Sequence, residues 1–511
     1  MKKLVLATVT VAAVVAAALV PSGPPVQAAQ QAKAKAAAPG FGSAVSSVAR
    51  PTWQTDDSVN ALATAGNTVY AGGLFTRIRP GGKAIGEGEA VRPYVASFNR
   101  TTGAPSGWAP RLNGAVWSIA TSADGRWVVI GGDFTSVDGV PRNRAAMFNV
   151  ANGQLTSWNP SVSYRVSALA ISGNTVYLGG SFGRVAGTTR NRLAAVSLNG
   201  ALLPWNPDAD DDVHAIDLTD DGRRVLVGGG FTKVAGGNHY ALAMLDPINA
   251  KAYPLPAAEA IPPPTDECVS RVKDIDTQGN RIFVGNAGSG LGCYDGILAA
   301  DTKTGKLVWQ SKCLGATEAV KAIGGWLYKG SHAHDCSQDR SFGDGSGIRH
   351  LLVQSTTTGK FGPWFPNTDV GGTTEVGPLA FTSGGNDLWA GGDFLSVNGK
   401  PQQGLTRFTN AAGGALPTRP AAPKVTSPAK ARTTVTFPAV VDTDNITLTY
   451  TLYRGTTKLG TWTRNSYPWS RPTVTTYTDT GVRSGQLPAY HVEVTDGRTR
   501  TKGTSATVRV R

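Results

Sequence analysis

The stretch VYLGGSF (176–182) sets two glycines inside an apolar run. The same signature returns as IGGDF (130–134), AGGLF (71–75), VGGGF (227–231) and AGGDF (390–394), with VGNAG (284–288) and YKGSH (328–332) as weaker copies. Counted from Gly72, Gly131, Gly179, Gly228, Gly285, Lys329 and Gly391, the copies recur about every fifty residues, the period of propeller blades rather than of helical solenoids. Glycine inside a strand gives up packing, so its recurrence predicts close approach by another backbone or a bulky side chain. The repeated Trp108, Trp158, Trp205 and Trp364 are the candidates for that side chain, with a plain bulge as the alternative. The phenylalanine that ends each clear copy would fill the space between blades.

Each copy carries strand-like pieces in one order. In the third they are VSALAIS (166–172), TVYLGGSF (175–182), NRLAAVSL (191–198) and LLPWNP (202–207). Asp124-Gly125, Gly173-Asn174 and Asp221-Gly222 supply hairpin turns between first and second pieces. Four strands in each of seven copies predict an all-β chain, a seven-bladed β-propeller over 46–410. The last copy lacks a tryptophan in its fourth piece, and Trp53 stands spare before the first. The N-terminal strand is therefore expected to complete the seventh blade, which removes two open sheet edges. Beyond a Gly/Ala/Pro linker at 411–423, the alternation Ile446, Leu448, Tyr450, Leu452 and further strand-like pieces predict a small β-sandwich over 424–511.

GGDFTSVDGVPRNRAAMFN (131–149) and GGSFGRVAGTTRNRLAAVSLN (179–199) resemble the delta-60, or DUF5122-type, propeller repeats of secreted bacterial proteins. The resemblance covers roughly 53–408; it implies the fold and leaves activity open. The C-terminal segment is similar to a fibronectin type III domain through Pro428, Tyr450, Tyr453, Tyr490 and DTGVRSGQ (479–486), with Phe437 where the family has an early tryptophan. That resemblance implies a spacer or adhesive unit.

Lys2 and Lys3, an apolar run over 4–20 and the small-residue site Val26-Gln27-Ala28 read as a signal peptide over 1–28, followed by a flexible leader over 29–45. Export is the expectation, with no membrane span. Lys and Arg number 49 against 35 Asp and Glu, a net charge of +14, which favours anionic polymers as partners. In an exported chain these are an extracellular polysaccharide or an anionic wall polymer rather than nucleic acid. A monomer is expected.

Three side-chain groups could carry a site on the face with the longer loops. His332, counted into the position of the repeat's phenylalanine, stands with His334, Asp335 and the later His350, donors suited to zinc or another transition ion. The competing reading is a packed His332 beside an exposed His334. Asp208, Asp210 and Asp212 alternate along a loop and could chelate calcium, or form a solvated acidic loop. Arg142, Arg144, Arg190 and Arg192 could hold a polyanion, or brace their loops by bonding carbonyls. There is no P-loop and no H-E-x-x-H. The expected function is non-enzymatic binding at a surface, probed against one alternative, a secreted glycan hydrolase or lyase, metal-assisted at the sixth blade or using a carboxylate pair.

The four cysteines fall in the two divergent copies. Export favours disulfides. Cys268 and Cys313 each precede a first strand, and Cys293 and Cys336 each follow a second strand. This predicts Cys268–Cys293 and Cys313–Cys336, each contributing about 3 kcal/mol by restricting the unfolded chain.

Overall fold

The computed structural model describes residues 45–511 apart from 291–292, 346, 370–375 and 411–413. The segments expected to be a signal peptide and, but for its last residue, a leader lie outside the described residues, as does the start of the expected linker.

Among the described residues, seven repeat sheets of three or four strands follow one another from 49 to 409, beside a small three-stranded sheet of Gln54–Thr55, Arg77–Arg79 and Ala90–Val91 and several two-stranded hairpins. The first strands are Val59–Ala65, Val116–Thr121, Val166–Ser172, Val213–Leu218, Cys268–Gln278, Thr317–Ile323 and Gly377–Thr382. Each pairs antiparallel with the strand that carries the glycine signature. A third strand pairs on the far side. The fourth piece is a strand in two sheets, Ala252–Tyr253 and Leu307–Ser311, and elsewhere a single bridge such as Phe98 to Pro105 or Phe148 to Leu155. In the seventh sheet that place is taken by Ala49–Arg50, with Ala49 opposite Phe408 and Arg50 opposite Arg407. The chain start thus supplies the missing strand. Trp53 contributes through its backbone, whose N–H donates to the Gly103 carbonyl at 3.1 Å.

The glycines answer to valine, not to tryptophan. A Cβ on Gly131 would lie 2.6 Å from Val166 Cγ1 of the next sheet, on Gly179 2.7 Å from Val213, and on Gly391 2.5 Å from Val59. Gly72 faces Val116 and Gly228 faces Val272 more closely still. The second glycine of each pair meets its own sheet. At Gly73, Gly132, Gly180, Gly229 and Gly392 a Cβ would collide with a carbonyl oxygen at the start of the first strand. In each of these five sheets the first strand bulges just after that carbonyl, as at Val59/Ala61 and Val116/Ser118.

The tryptophans act further out. Trp108 Nε1 donates to the Gly153 carbonyl at 3.2 Å, Trp158 to Ser197 at 2.9 Å, Trp205 to Asp246 at 2.9 Å and Trp309 to Thr356 at 3.0 Å. Each bond reaches the end of the third strand of the following sheet or the residues just after it. Phe75, Phe134, Phe182, Phe231 and Phe394 are fully buried in clusters built from two neighbouring sheets, as expected.

The sixth copy reads one residue differently from its sequence count. Ala319 pairs with Gly330 as Ala61 pairs with Gly72. Gly330, not Lys329, therefore holds the first glycine position, and Ala333, not His332, stands where the others have phenylalanine. YKGSH contains one glycine, which left the frame open.

Both predicted disulfides form, Cys268–Cys293 and Cys313–Cys336, spanning 25 and 23 residues. Beyond the linker, a three-stranded sheet (Lys424–Ala429, Arg432–Pro438, Thr473–Asp479) faces a second sheet built on Thr447–Arg454 and Ala489–Thr495. Leu448, Tyr450 and Leu452 enter their common core with Phe437, while Ile446 joins a second cluster with Phe342, Phe365, Tyr467, Trp469 and the Cys313–Cys336 bridge. Phe365 N–H donates to the Thr443 carbonyl at 2.7 Å. The C-terminal module is docked on the sixth sheet.

Candidate functional site

The seven bulges place one side chain each at the mouth of a single cavity: Asn60, Trp117, Ser167, His214, Lys273, Glu318 and Leu379. All seven are half-buried. A bulge skips one residue in the pairing and re-aims its side chain, and repeating it in every sheet gathers these seven. Lys273 pairs with Glu318 at 3.0 Å. Trp117 donates to Asp133 at 2.7 Å and carries the Arg165 guanidinium 4.5 Å above its ring. Asn60 Nδ2 is buried without a partner. Burial, then the Lys273 charge, lowers the His214 pKa.

A second cavity of about 600 Å³ continues from the first, sharing Leu62, Ile119, Leu169, Ile216, Asp274 and Phe381. Its wall carries Asp217, Asp274, Asp276 and Lys321 from three consecutive first strands. The Lys321 ammonium pairs with the Asp276 carboxylate, whose other oxygen accepts the Ala322 N–H at 2.7 Å. Asp274 accepts the N–H groups of Ile275 at 2.9 Å and Val320 at 2.8 Å. Burial and the neighbouring Asp276 charge push Asp217 up to about 7; burial does the same for Asp274. Both side chains still touch the channel, so they are surrounded by protein without being sealed from water. Burial opposes the Lys321 charge, yet Asp276 outweighs it and raises its pKa. A carboxyl near neutrality beside an ion pair can give or take a proton.

The sequence reading missed this channel. The available signal was a break in the repeat: the position held by Ala63, Ala120 and Ala170 becomes Asp217, Asp276 and Lys321.

The predicted groups lie elsewhere. Arg142 donates to the carbonyls of Pro141 and Thr156, and Arg190 to those of Thr189 and Leu203. Arg144 bonds the Asp133 carbonyl, and Arg192 bonds the Phe182 carbonyl and pairs with Asp212 at 3.3 Å. Asp210 caps a hairpin through Thr232 and Lys233, as Asn113 does through Thr135 and Ser136, and Asp208 accepts from Asn191. His332 Nε2 accepts the Ala316 N–H at 3.3 Å, His334 pairs with Asp344 at 2.8 Å, and Asp335 accepts from Ser337. His350 is buried against the Thr368 carbonyl. Among the described residues, neither the histidine set nor Asp208, Asp210 and Asp212 converge as metal ligands do. GGSFG (179–183) has the spacing of a nucleophile elbow, but it runs into a two-stranded hairpin rather than a helix.

These features define an all-β protein built of repeated antiparallel sheets. Residues 122–155 match a family model described as "Domain of unknown function (DUF5122) beta-propeller". That span runs from the end of the second sheet's first strand through its glycine strand and third strand. No curated protein matches the chain. A solved structure of the computationally designed Ika8 protein is 14% identical, covering 78% of this chain and 98% of its own, with a TM-score of 0.38. An overlap that low has no bearing on the fold. No described helix is long and apolar enough to cross a membrane.

Proposed function

We propose that the seven sheets are the blades of one closed seven-bladed propeller, followed by a fibronectin type III-like sandwich, and that the exported, monomeric chain binds an extracellular or cell-wall polysaccharide at the axial mouth. The observation that carries this is the variety of the bulge residues. Positions that serve the repeat vary little: the first glycine stands in all seven copies, and the valine and the phenylalanine in five each. The bulge positions hold seven different residues, so they answer to something other than the repeat. An amide, a hydroxyl, an imidazole, an ion pair and an indole edge offer both donors and acceptors, which suits the hydroxyls of a sugar. The two disulfides and the net charge of +14 agree with an exported chain that meets anionic polymers.

A glycan array read together with mass spectrometry of the bound glycans tests it. Binding with intact glycans supports the proposal; no binding across neutral and anionic glycans contradicts it. Asp217 beside the Asp276–Lys321 pair favours one other reading, a glycan hydrolase or lyase. Cleaved product that disappears in Asp217→Asn would establish that reading instead.

A further inference from the structure

Asp442, Asp444 and Asp496 converge in the C-terminal module, one oxygen of each lying within 4.8 Å of the others. Asp442 is 1% exposed and Asp444 0%. Each uses one oxygen to hold the chain. Asp442 Oδ1 accepts the N–H groups of Asp444 at 2.9 Å and Asn445 at 3.1 Å. Asp444 Oδ2 accepts the Ser46 hydroxyl at 2.9 Å and the Ala415 N–H at 3.0 Å. Asp496 Oδ1 accepts the N–H groups of Arg498 at 2.7 Å and Thr499 at 2.5 Å. The other three oxygens, Asp442 Oδ2, Asp444 Oδ1 and Asp496 Oδ2, are buried and have no partner. Among the described residues, the module's ion pairs run from Arg454 to Asp479 and from Arg500 and His491 to Glu493.

Burying a carboxylate without a counter-charge is steeply unfavourable, and two of these are sealed from water. One orphaned oxygen per residue, each fixed by bonds to its own partner oxygen, is how a set of preorganised monodentate ligands looks. We propose that Asp442, Asp444 and Asp496 bind a divalent cation, and that the ion is calcium. The donors are all oxygen, which suits a hard cation, and neither thiolate nor imidazole is present to favour zinc. Calcium accepts six to eight oxygens in flexible geometry, so water and carbonyls complete its shell; magnesium demands a stricter octahedron.

The place of the site gives the ion a task. Asp444 holds Ser46, three residues before the strand Ala49–Arg50 that completes the seventh sheet. It also holds Ala415, within the linker segment. Fixing Asp444 therefore ties the C-terminal module to the strand that closes the sheets.

The test uses the full mature chain, stripped with a chelator and titrated with calcium chloride by calorimetry and by thermal unfolding. A single ion should bind with Kd of roughly 10⁻⁴–10⁻³ M, as in extracellular modules, and raise Tm. Asp496→Asn, at the least buried ligand, should weaken calcium at least about tenfold, since a charged ligand is lost. Asp442→Asn should abolish the Tm response; if that variant does not fold, Asp496→Asn alone carries the test. Asp210→Asn should bind as the parent does. No calcium binding at about 10 mM, equal affinity for magnesium, or binding lost in Asp210→Asn but kept in Asp496→Asn would overturn the assignment.

Discussion

Gly391 in the seventh sheet faces Val59 in the first as Gly131 in the second faces Val166 in the third: an added Cβ would come 2.5 Å and 2.6 Å from the valine Cγ1. The contact that spans 332 positions of sequence is the same as one between neighbours. Gly391→Ala should therefore destabilise by about 1–3 kcal/mol, the usual cost of overpacking, and Gly131→Ala by a similar amount. Gly107, whose Cβ would meet nothing within 4 Å, serves as the control; Gly107→Ala should change stability by no more than about 0.5 kcal/mol. Urea unfolding of the three variants measures this. A neutral Gly391→Ala would mean that the first and last sheets are not packed together.

Ala49–Arg50 is the outer strand of the seventh sheet, and Gln54, Thr55 and Asp56 bond to segments 76–83 and 403. Deleting residues 46–56 should replace one cooperative transition by a broad or early one in calorimetry. A truncated chain that melts like the parent would refute the role given to this strand.

Much of this was legible in the sequence, and the reasons differ by element. The strand order and the disulfide pairs followed from period, turns and cysteine placement, because these are local signals. The partner of Gly-Gly was not legible. The valine it admits belongs to the next copy, and nothing within one copy marks it. The single glycine of YKGSH hid a one-residue shift, which moved His332 out of the phenylalanine position. The bulge-lined site was hidden for a different reason. A bulge is a pairing irregularity with no residue signature, so seven unlike side chains from seven copies could not be collected by motif. Asp217, Asp276 and Lys321 were detectable only by aligning the copies and asking where alanine gives way to charge.

Lys329 is fully buried, its Nζ without a partner, and burial lowers its pKa to about 8. The folded state thus holds the proton less tightly than the unfolded chain, whose lysine titrates near 10.5. Stability should rise as pH increases from about 8 to 10.5, and the full penalty, on the order of 2–3 kcal/mol, applies below pH 8. Lys329→Met should stabilise at pH 7 and flatten that rise. Denaturant midpoints at several pH values check it; a destabilised Lys329→Met would show that the ammonium is compensated.

Asp217 has the opposite sign. Its folded pKa of about 7 lies above the unfolded carboxyl value of 3.8, so the native state binds the extra proton between them. Stability should fall as pH rises from about 4 to 7, and Asp217→Asn should recover on the order of 1–2 kcal/mol at pH 7. Carbon-detected NMR titration of the aspartate carboxyls reads the pKa directly. A value near 4 would remove both this effect and the proton-transfer chemistry considered for the channel.

The axial mouth is tested most directly by blocking it. Ser167 lines the mouth and its backbone belongs to a bulge with room at the lumen, so Ser167→Trp should fill the opening and leave the fold intact by circular dichroism. Against a glycan selected on the array, calorimetry should show affinity reduced at least tenfold, about 1.4 kcal/mol. Arg190→Ala, on the outer loops, should bind within about twofold of the parent. Unchanged affinity in Ser167→Trp, with loss in Arg190→Ala, would contradict the account and move the ligand to the arginine-bearing loops.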